Sequence, residues 1–259
     1  MQKPARPTRC RTFRRRLRPL VAILGAYLLI FAIPARADEC PAVAPPVADS
    51  GTKLANLNSG ADRVLDILAI GSSSTAGVGA SSPSHAYPAL LADELSREDG
   101  IPAEVRNAGV GGELAAGAVQ RLKAALKSGW PELVIWQVGT NDALAGVDEA
   151  LFRATVESGI AAVRAAGVPV LLIDPQFAAK ISDVARYERF VAIVDEIGQK
   201  QRVPVVSRYA MMKQRGAKKA MALLSGDGLH MNDLGYRCLA HAVAEQIESA
   251  AGAHAGAKL

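Results

Sequence analysis

Residues 66–77 read DILAIGSSSTAG, a short apolar run that ends in a turn rich in glycine and serine. An apolar run of this length, bounded by turn residues, is typical of a buried β-strand. A longer amphipathic pattern from Tyr87 to Glu98 follows the turn and predicts a helix. The order of strand, polar loop and helix is the unit on which the fold class depends.

This unit recurs along the chain. The predicted strands are Asp66–Ile70, Ala103–Asn107, Leu133–Val138, Val168–Ile173 and Val203–Val206. The predicted helices are Tyr87–Glu98, Leu114–Lys127, Asp148–Ala166, Asp183–Gln201 and Asn232–Ala251. Strands that alternate with helices form parallel sheets, and strands that are apolar throughout belong to sheets covered on both faces. We therefore predict one α/β domain over residues 61–252, with a mostly parallel five-stranded sheet.

The positive charge of the chain is concentrated at its N-terminus. The chain of 259 residues has a formal net charge of +5, but residues 1–37 hold nine Lys and Arg and no acidic residue. The apolar segment Leu20–Ile33 has 14 residues, whereas a membrane-spanning helix needs about 20. The small residues Ala35 and Ala37 follow it, as in a signal peptidase site. We predict a signal peptide over 1–37; an uncleaved anchor or a buried helix is the alternative.

Removal of residues 1–37 changes what the charge implies. The remaining 222 residues carry 21 basic and 25 acidic groups, a net charge of −4. We therefore expect no nucleic-acid partner, no stable membrane span after cleavage, and a periplasmic or secreted protein. Residues 38–60 are predicted to be a flexible lead-in and 253–259 a frayed tail. Cys40 and Cys238 could form a disulfide in an oxidising compartment or remain free thiols, and the sequence leaves both open.

Polar segments follow the predicted strands, where open parallel sheets carry their chemistry. GSSSTAG (71–77) follows the first strand, NAGVGGE (107–113) the second and GTND (139–142) the third, and DGLH (227–230) precedes the last helix. These loops contain neither GxGxxG nor GxxxxGK[ST], and the chain contains no HExxH or CxxC motif. We therefore expect no nucleotide cofactor and no metal.

Each segment alone has a structural explanation, such as a helix cap, a turn that needs positive φ, or a surface histidine. Taken in this order, the four blocks GSSST, NAGVGG, GTND and DGLH resemble those of the SGNH hydrolase superfamily, also called GDSL esterases and lipases. The first block departs from GDSL, because Ser72 stands in place of the usual Asp and Ser74 in place of the usual Leu. This departure places the chain in a variant branch and weakens any transfer of substrate preference.

The resemblance implies a three-layer α/β/α sandwich of flavodoxin-like type and a serine hydrolase without a cofactor. By this resemblance Ser73 is the nucleophile, His230 the general base and Asp227 the group that orients His230. The oxyanion hole would consist of the Ser73 N–H, the Gly112 N–H and the Asn141 side-chain amide. Ser72 or Ser74 could instead be the reactive serine.

The expected activity is hydrolysis of a carboxylic ester. The substrate would be a small molecule, a lipid ester or an O-acetylated polysaccharide. Thioester hydrolysis and O-acetyl transfer to a sugar hydroxyl are alternatives on the same site. A non-catalytic, exported carbohydrate-binding or scaffold domain is the alternative of another class. Such a domain should lack one or more of the reactive groups, and their presence here favours the enzyme.

Overall fold

Five parallel strands form the sheet of this protein in a computed structural model that describes Cys40, residues 64–97 and residues 101–252. The strands are β1 (Leu65–Gly71), β2 (Ala103–Gly109), β3 (Leu133–Gln137), β4 (Val170–Ile173) and β5 (Val205–Val206). Their spatial order is β2-β1-β3-β4-β5. All five predicted strands are confirmed. The predicted signal peptide, the tail and all of the lead-in except Cys40 lie outside the described residues.

Five long helices agree with the prediction to within one residue at either end. They are α2 (Tyr87–Arg97), α3 (Ala115–Leu126), α5 (Glu149–Ala165), α6 (Val184–Gln201) and α9 (Asp233–Gly252). Four short helices were not predicted, because they are too short to show a helical period. They are α1 (Ser73–Ala76), α4 (Thr140–Leu144), α7 (Arg208–Lys213) and α8 (Ala217–Met221), and a 3₁₀ turn spans Pro83–His85.

Side chains alternate between two hydrophobic cores, one on each face of the sheet. Ile67 and Ala69 of β1 belong to the core that α2 and α9 cover. Leu68 and Ile70 belong to the core on the other face, which α3, α5 and α6 cover. Burying one such aliphatic side chain contributes about 1.5–3 kcal/mol. The structure thus confirms the three-layer α/β/α sandwich.

The order of the strands determines where a site can form. From β1 the chain crosses to β2 on one side and then returns to β3 on the other side of β1. Helices that leave a sheet in opposite directions open a crevice at the carboxyl ends of the strands where the order reverses. The GSSST block leaves β1 at this reversal point, and the loops after β2 and β3 flank it.

The segment before β1 is joined covalently to the last helix. Cys40 and Cys238 form a disulfide between residues 198 positions apart, with their Cα atoms 5.1 Å from each other. Cys238 is buried in α9. Within the described ranges, no helix is both long and apolar enough to cross a bilayer.

Candidate active site

The three consecutive serines after β1 have different surroundings. Ser72 and Ser74 are buried, and their hydroxyls donate to Gln137 (3.1 Å) and Gln176 (3.4 Å) respectively. Ser73 is partly exposed, and its Oγ lies 2.9 Å from His230 Nε2. The tight exit from β1 into α1 therefore places Ser73, and neither neighbouring serine, beside the histidine.

The DGLH segment holds His230 from its other side. His230 Nδ1 lies 2.5 Å from Asp227 Oδ2. The second carboxylate oxygen, Asp227 Oδ1, accepts from the N–H groups of Leu229 (2.8 Å) and His230 (2.9 Å) and from the Ser225 hydroxyl (2.8 Å). Because both oxygens are bonded, the carboxylate has a fixed orientation toward the imidazole.

These bonds determine the charge of Asp227. Desolvation raises its pKa, but the hydrogen bonds from His230, Leu229 and Ser225 outweigh that effect and hold the pKa well below its ordinary value. Asp227 is therefore ionised at neutral pH and can accept a hydrogen bond from the Nδ1–H of His230. His230 Nε2 is then left with a free lone pair toward the Ser73 hydroxyl.

The three predicted oxyanion donors lie on the neighbouring loops. Gly112 is exposed and has a φ of +75° in a turn that Val110 and Glu113 close with a hydrogen bond. Within the described part of the chain, neither the Ser73 N–H nor the Gly112 N–H has a protein acceptor. Asn141 donates one amide hydrogen to Glu113 O at 2.9 Å. The other hydrogen of the Asn141 amide remains for a ligand.

Two further residues fix these loops. Arg121 of α3 pairs with Glu113, with Nε 2.7 Å from Oε1, and its Nη1 donates to Ala108 O at 2.8 Å. Asp142 accepts from the Ala115 N–H at 3.0 Å and so caps the start of α3. Burial raises the pKa of Asp142. For Asp142, therefore, the capping explanation of the GTND block is correct.

Gln137, the last residue of β3, fixes the start of the nucleophile block. Its side-chain oxygen accepts from the Ser72 N–H (3.0 Å), the Ser72 hydroxyl (3.1 Å) and the Thr75 hydroxyl (3.3 Å). The usual GDSL aspartate is absent at position 72. Here a glutamine from the neighbouring strand bonds the residue that replaces it.

The other described histidines make contacts away from this site. His85 lies beside Ser81 and Asp233, and His241 of α9 lies 2.6 Å from Glu94 of α2. Among the described residues, no cluster of His, Cys, Asp or Glu could hold a metal ion.

Comparison with known proteins identifies the family of this chain. The model of the non-GDSL lipase-like family matches residues 39–253. Esterase TesA of Pseudomonas aeruginosa is 28% identical over 165 residues, which cover 63% of this chain and 78% of that protein. Thioesterase 1/protease 1/lysophospholipase L1 of Escherichia coli is 29% identical over 183 residues, which cover 70% and 83%. A lipase/acylhydrolase structure from Enterococcus faecalis matches with a TM-score of 0.64 and 26% identity, covering 71% of this chain and 96% of that one.

Fold and comparisons together define a hydrolase of the SGNH/GDSL superfamily that acts on carboxylic esters. Within that superfamily, the chain belongs to the non-GDSL lipase-like family. A non-GDSL family agrees with the first block of this chain, GSSST, in which Ser72 and Ser74 depart from the GDSL sequence.

Proposed function

We propose that this protein is an exported serine esterase with Ser73 as nucleophile, His230 as general base and Asp227 as the residue that orients the base. One observation carries the proposal. Ser73 Oγ lies 2.9 Å from His230 Nε2, while His230 Nδ1 lies 2.5 Å from Asp227. A serine hydroxyl is a weak nucleophile at neutral pH and needs a base at this distance.

In the first half-reaction, His230 Nε2 takes the Ser73 proton as Oγ attacks the ester carbonyl carbon. The resulting oxyanion would accept hydrogen bonds from the N–H groups of Ser73 and Gly112 and from the Asn141 amide. One such donor is typically worth about 2.7–4 kcal/mol in the transition state. His230 then gives its proton to the leaving alcohol, and the acyl group remains on Ser73.

In the second half-reaction, water replaces the alcohol. His230 takes a proton from a water molecule, the hydroxide attacks the acyl carbonyl, and Ser73 recovers its proton as the acid leaves. Asp227 stabilises the imidazolium that forms in each half. Gly112 is exposed and Ser73 is partly exposed, so water can reach the acyl group. This access favours hydrolysis over transfer of the acyl group to a sugar.

The substrate is proposed to be an ester with an apolar acyl group, carried by a small molecule, a lipid or a polysaccharide. Val110 and Leu144 are exposed apolar residues in the two segments that carry Gly112 and Asn141. An acyl chain bound at the oxyanion donors would lie near such side chains. The names of the two curated relatives include esterase and thioesterase, so oxygen esters and thioesters both belong in the assay.

The test of the function compares serine variants on p-nitrophenyl acetate, butyrate and longer esters, on an acyl thioester and on acetylated xylan. We expect Ser73→Ala to lower kcat at least 10³-fold. Ser72→Ala and Ser74→Ala test the alternative nucleophiles and should stay within about tenfold of the wild type. A wild-type rate as negligible as that of Ser73→Ala on every substrate would contradict the esterase activity, and full activity of Ser73→Ala would contradict Ser73 as the nucleophile.

Export is proposed from the N-terminal pattern and from the Cys40–Cys238 disulfide, because disulfides persist in oxidising compartments. N-terminal sequencing of the protein from a Gram-negative host tests it. Recovery from the periplasm or medium with Asp38 as the first residue is the expected result. Retention inside the cell with the leader attached would contradict it.

A further inference from the structure

Gln176 lies in the loop after β4, outside all four sequence blocks. Its side chain is buried, with only 1% of the residue exposed. Its Oε1 accepts from the hydroxyls of Thr140 (3.1 Å) and Ser74 (3.4 Å). Its Nε2 donates to Leu229 O at 3.2 Å. One side-chain amide thus joins three loops that are far apart in sequence.

Each of these partners is the direct chain neighbour of a proposed active-site residue. Ser74 follows Ser73, Thr140 precedes Asn141, and Leu229 precedes His230. A displacement of any of the three loops would therefore change the position of the nucleophile, of an oxyanion donor or of the base.

The chemistry of the contacts requires an amide. The Leu229 carbonyl can only accept a hydrogen bond, so the atom facing it must be a donor. The two hydroxyls donate to the opposite end of the group. A carboxylate would supply the acceptor but no donor, and an apolar side chain would leave the Leu229 carbonyl without this hydrogen bond.

The loop that carries Gln176 is itself held firmly. The Gln176 carbonyl accepts from the Tyr187 hydroxyl at 2.8 Å. Two residues earlier, the Asp174 carboxylate accepts from the Ser207 hydroxyl at 2.7 Å, and its carbonyl accepts from Arg208 Nε at 2.6 Å. Asp174 and Arg208 are both buried. The amide is therefore presented from a fixed point below the crevice.

We propose that Gln176 is a positioning residue of this enzyme, which keeps the loops of Ser73, Asn141 and His230 in register. The inference rests on the proposed function of those residues. Because Gln176 is buried, it acts through its neighbours and does not touch the substrate. Misplacing reacting groups by about 1 Å can lower the rate 10²-fold, so loss of Gln176 should act on kcat and leave KM nearly unchanged.

The experiment uses two variants and a matched control in the full protein. Gln176→Met keeps the length of the side chain but removes all three bonds, and Gln176→Glu keeps only the acceptor. Gln246→Met removes another buried glutamine, on α9. For p-nitrophenyl acetate we expect kcat of Gln176→Met to fall about 30- to 100-fold with KM within twofold. Gln176→Glu should be intermediate, and the control should stay within twofold of the wild type.

A second readout does not depend on turnover. The short bond between His230 Nδ1 and Asp227 should give a downfield proton resonance in NMR spectra, assigned by its loss in Asp227→Asn. We expect this signal in the wild type and in Gln246→Met, and we expect it to broaden or disappear in Gln176→Met.

The outcomes separate this inference from the proposed function. If the wild type hydrolyses esters and Ser73→Ala does not, a Gln176→Met kcat within twofold of the wild type overturns the positioning role. A loss no larger than that of Gln246→Met overturns it as well. If the wild type is inactive, the esterase proposal fails, and an unchanged His230 signal in Gln176→Met then overturns the positioning role. If Gln176→Met does not fold, Gln176→Glu decides: reduced kcat at constant KM supports the role, and wild-type kcat overturns it.

Discussion

Two groups of serine, histidine and aspartate lie in this domain, and their arrangements differ. The relay cluster is Ser73, His230 and Asp227, and the surface cluster is Ser81, His85 and Asp233. In the relay cluster the imidazole stands between its partners, with Nε2 toward the serine and Nδ1 toward the carboxylate. The carboxylate bonds the histidine, two backbone N–H groups and the Ser225 hydroxyl, and among the described residues the imidazole is the hydrogen-bond partner of the Ser73 hydroxyl.

The surface cluster is a triangle. Ser81 Oγ lies 2.6 Å from Asp233 Oδ2 and 2.6 Å from His85 Nδ1, and the same ring nitrogen lies 3.1 Å from Asp233 Oδ2. The Ser81 N–H also donates to Asp233, at 2.8 Å. The Ser81 hydroxyl therefore donates its hydrogen bond directly to the carboxylate, and His85 contacts both residues through the same ring nitrogen, Nδ1.

This difference shows that residue types do not by themselves make a nucleophile. In a Ser-His-Asp triad, one ring nitrogen of the histidine accepts the serine proton, and the carboxylate on the other nitrogen fixes the tautomer and orientation of the ring. The surroundings also differ, because 15% of the His230 side chain is exposed and 48% of the His85 side chain. We therefore predict catalysis in the relay cluster and a structural role for the surface cluster.

The largest expected effect comes from removing each histidine. His230→Gln should lower kcat about 10³- to 10⁶-fold, because no other described group lies where His230 Nε2 could be replaced as the acceptor of the Ser73 proton. His85→Gln should leave kcat within twofold. Steady-state kinetics on p-nitrophenyl butyrate measures both, and equal losses in the two variants would break the distinction between the clusters.

The next largest difference is expected between the effects of replacing Asp227 and Asp233 on kcat. Asp227→Asn removes the charge that stabilises the imidazolium and changes the bond that sets the tautomer, so kcat should fall roughly 10²- to 10⁴-fold. Asp233→Asn should have almost no effect on kcat. Circular dichroism verifies that both variants are folded. A fully active Asp227→Asn variant would contradict the proposed role of Asp227 in the relay cluster.

The proposed oxyanion donors provide a further difference between the two clusters, because they are assigned to the relay cluster and not to the surface cluster. Asn141→Ala should lower kcat about 10²-fold with little change in KM, since the amide acts on charge that develops in the transition state. Asn107→Ala is the control: Asn107 is exposed, and its side chain accepts a hydrogen bond from the nearby Gly109 N–H. An equal loss in both variants would indicate general disturbance of the loops.

The smallest effect concerns stability. Hydrogen bonds from the Ser81 hydroxyl and N–H hold the pKa of Asp233 below its ordinary value. A group whose pKa is lowered by folding stabilises the protein above the unfolded-state pKa of about 4, and this contribution is lost as the pH falls below it. Because Asp233 is exposed, we expect its carboxylate to contribute at most about 1 kcal/mol to the free energy of unfolding. Loss of this contribution would lower Tm by about 2–4 °C.

Thermal unfolding of Asp233→Asn beside the wild type measures this difference at pH 7 and pH 3. The two proteins should differ at pH 7, and the difference should be smaller at pH 3. A difference that grows toward acid pH would contradict the assignment.

Much of the fold follows from local sequence patterns. The five long helices span enough residues to show a helical period, as Tyr87–Arg97 does, and strands such as Leu133–Gln137 show an apolar run. The four blocks also predict the loops that meet at the crevice, because the carboxyl ends of parallel strands lie at one edge. The roles of Ser73, Gly112, Asn141, Asp227 and His230 stay predictions until they are measured.

The supporting contacts could not be found in this way. Gln176 meets Ser74 across 102 positions and Leu229 across 53, and neither spacing is a pattern in the sequence. Asp233 meets Ser81 across 152 positions. Glutamine and arginine in loops and helices are ordinary surface residues unless the fold buries them. Their positions depend on which elements pack together, which short-range periodicity does not reveal.

The most direct test of the central claim is covalent labelling with a fluorophosphonate, which an activated serine attacks with loss of fluoride. Trypsin releases one peptide, Val64–Arg97, which contains Ser72, Ser73, Ser74 and Ser81. Fragmentation of this peptide in a mass spectrometer identifies the modified serine. We predict a single adduct on Ser73 that is absent from Ser73→Ala and His230→Gln. An adduct on Ser81, or labelling that persists in His230→Gln, would contradict it.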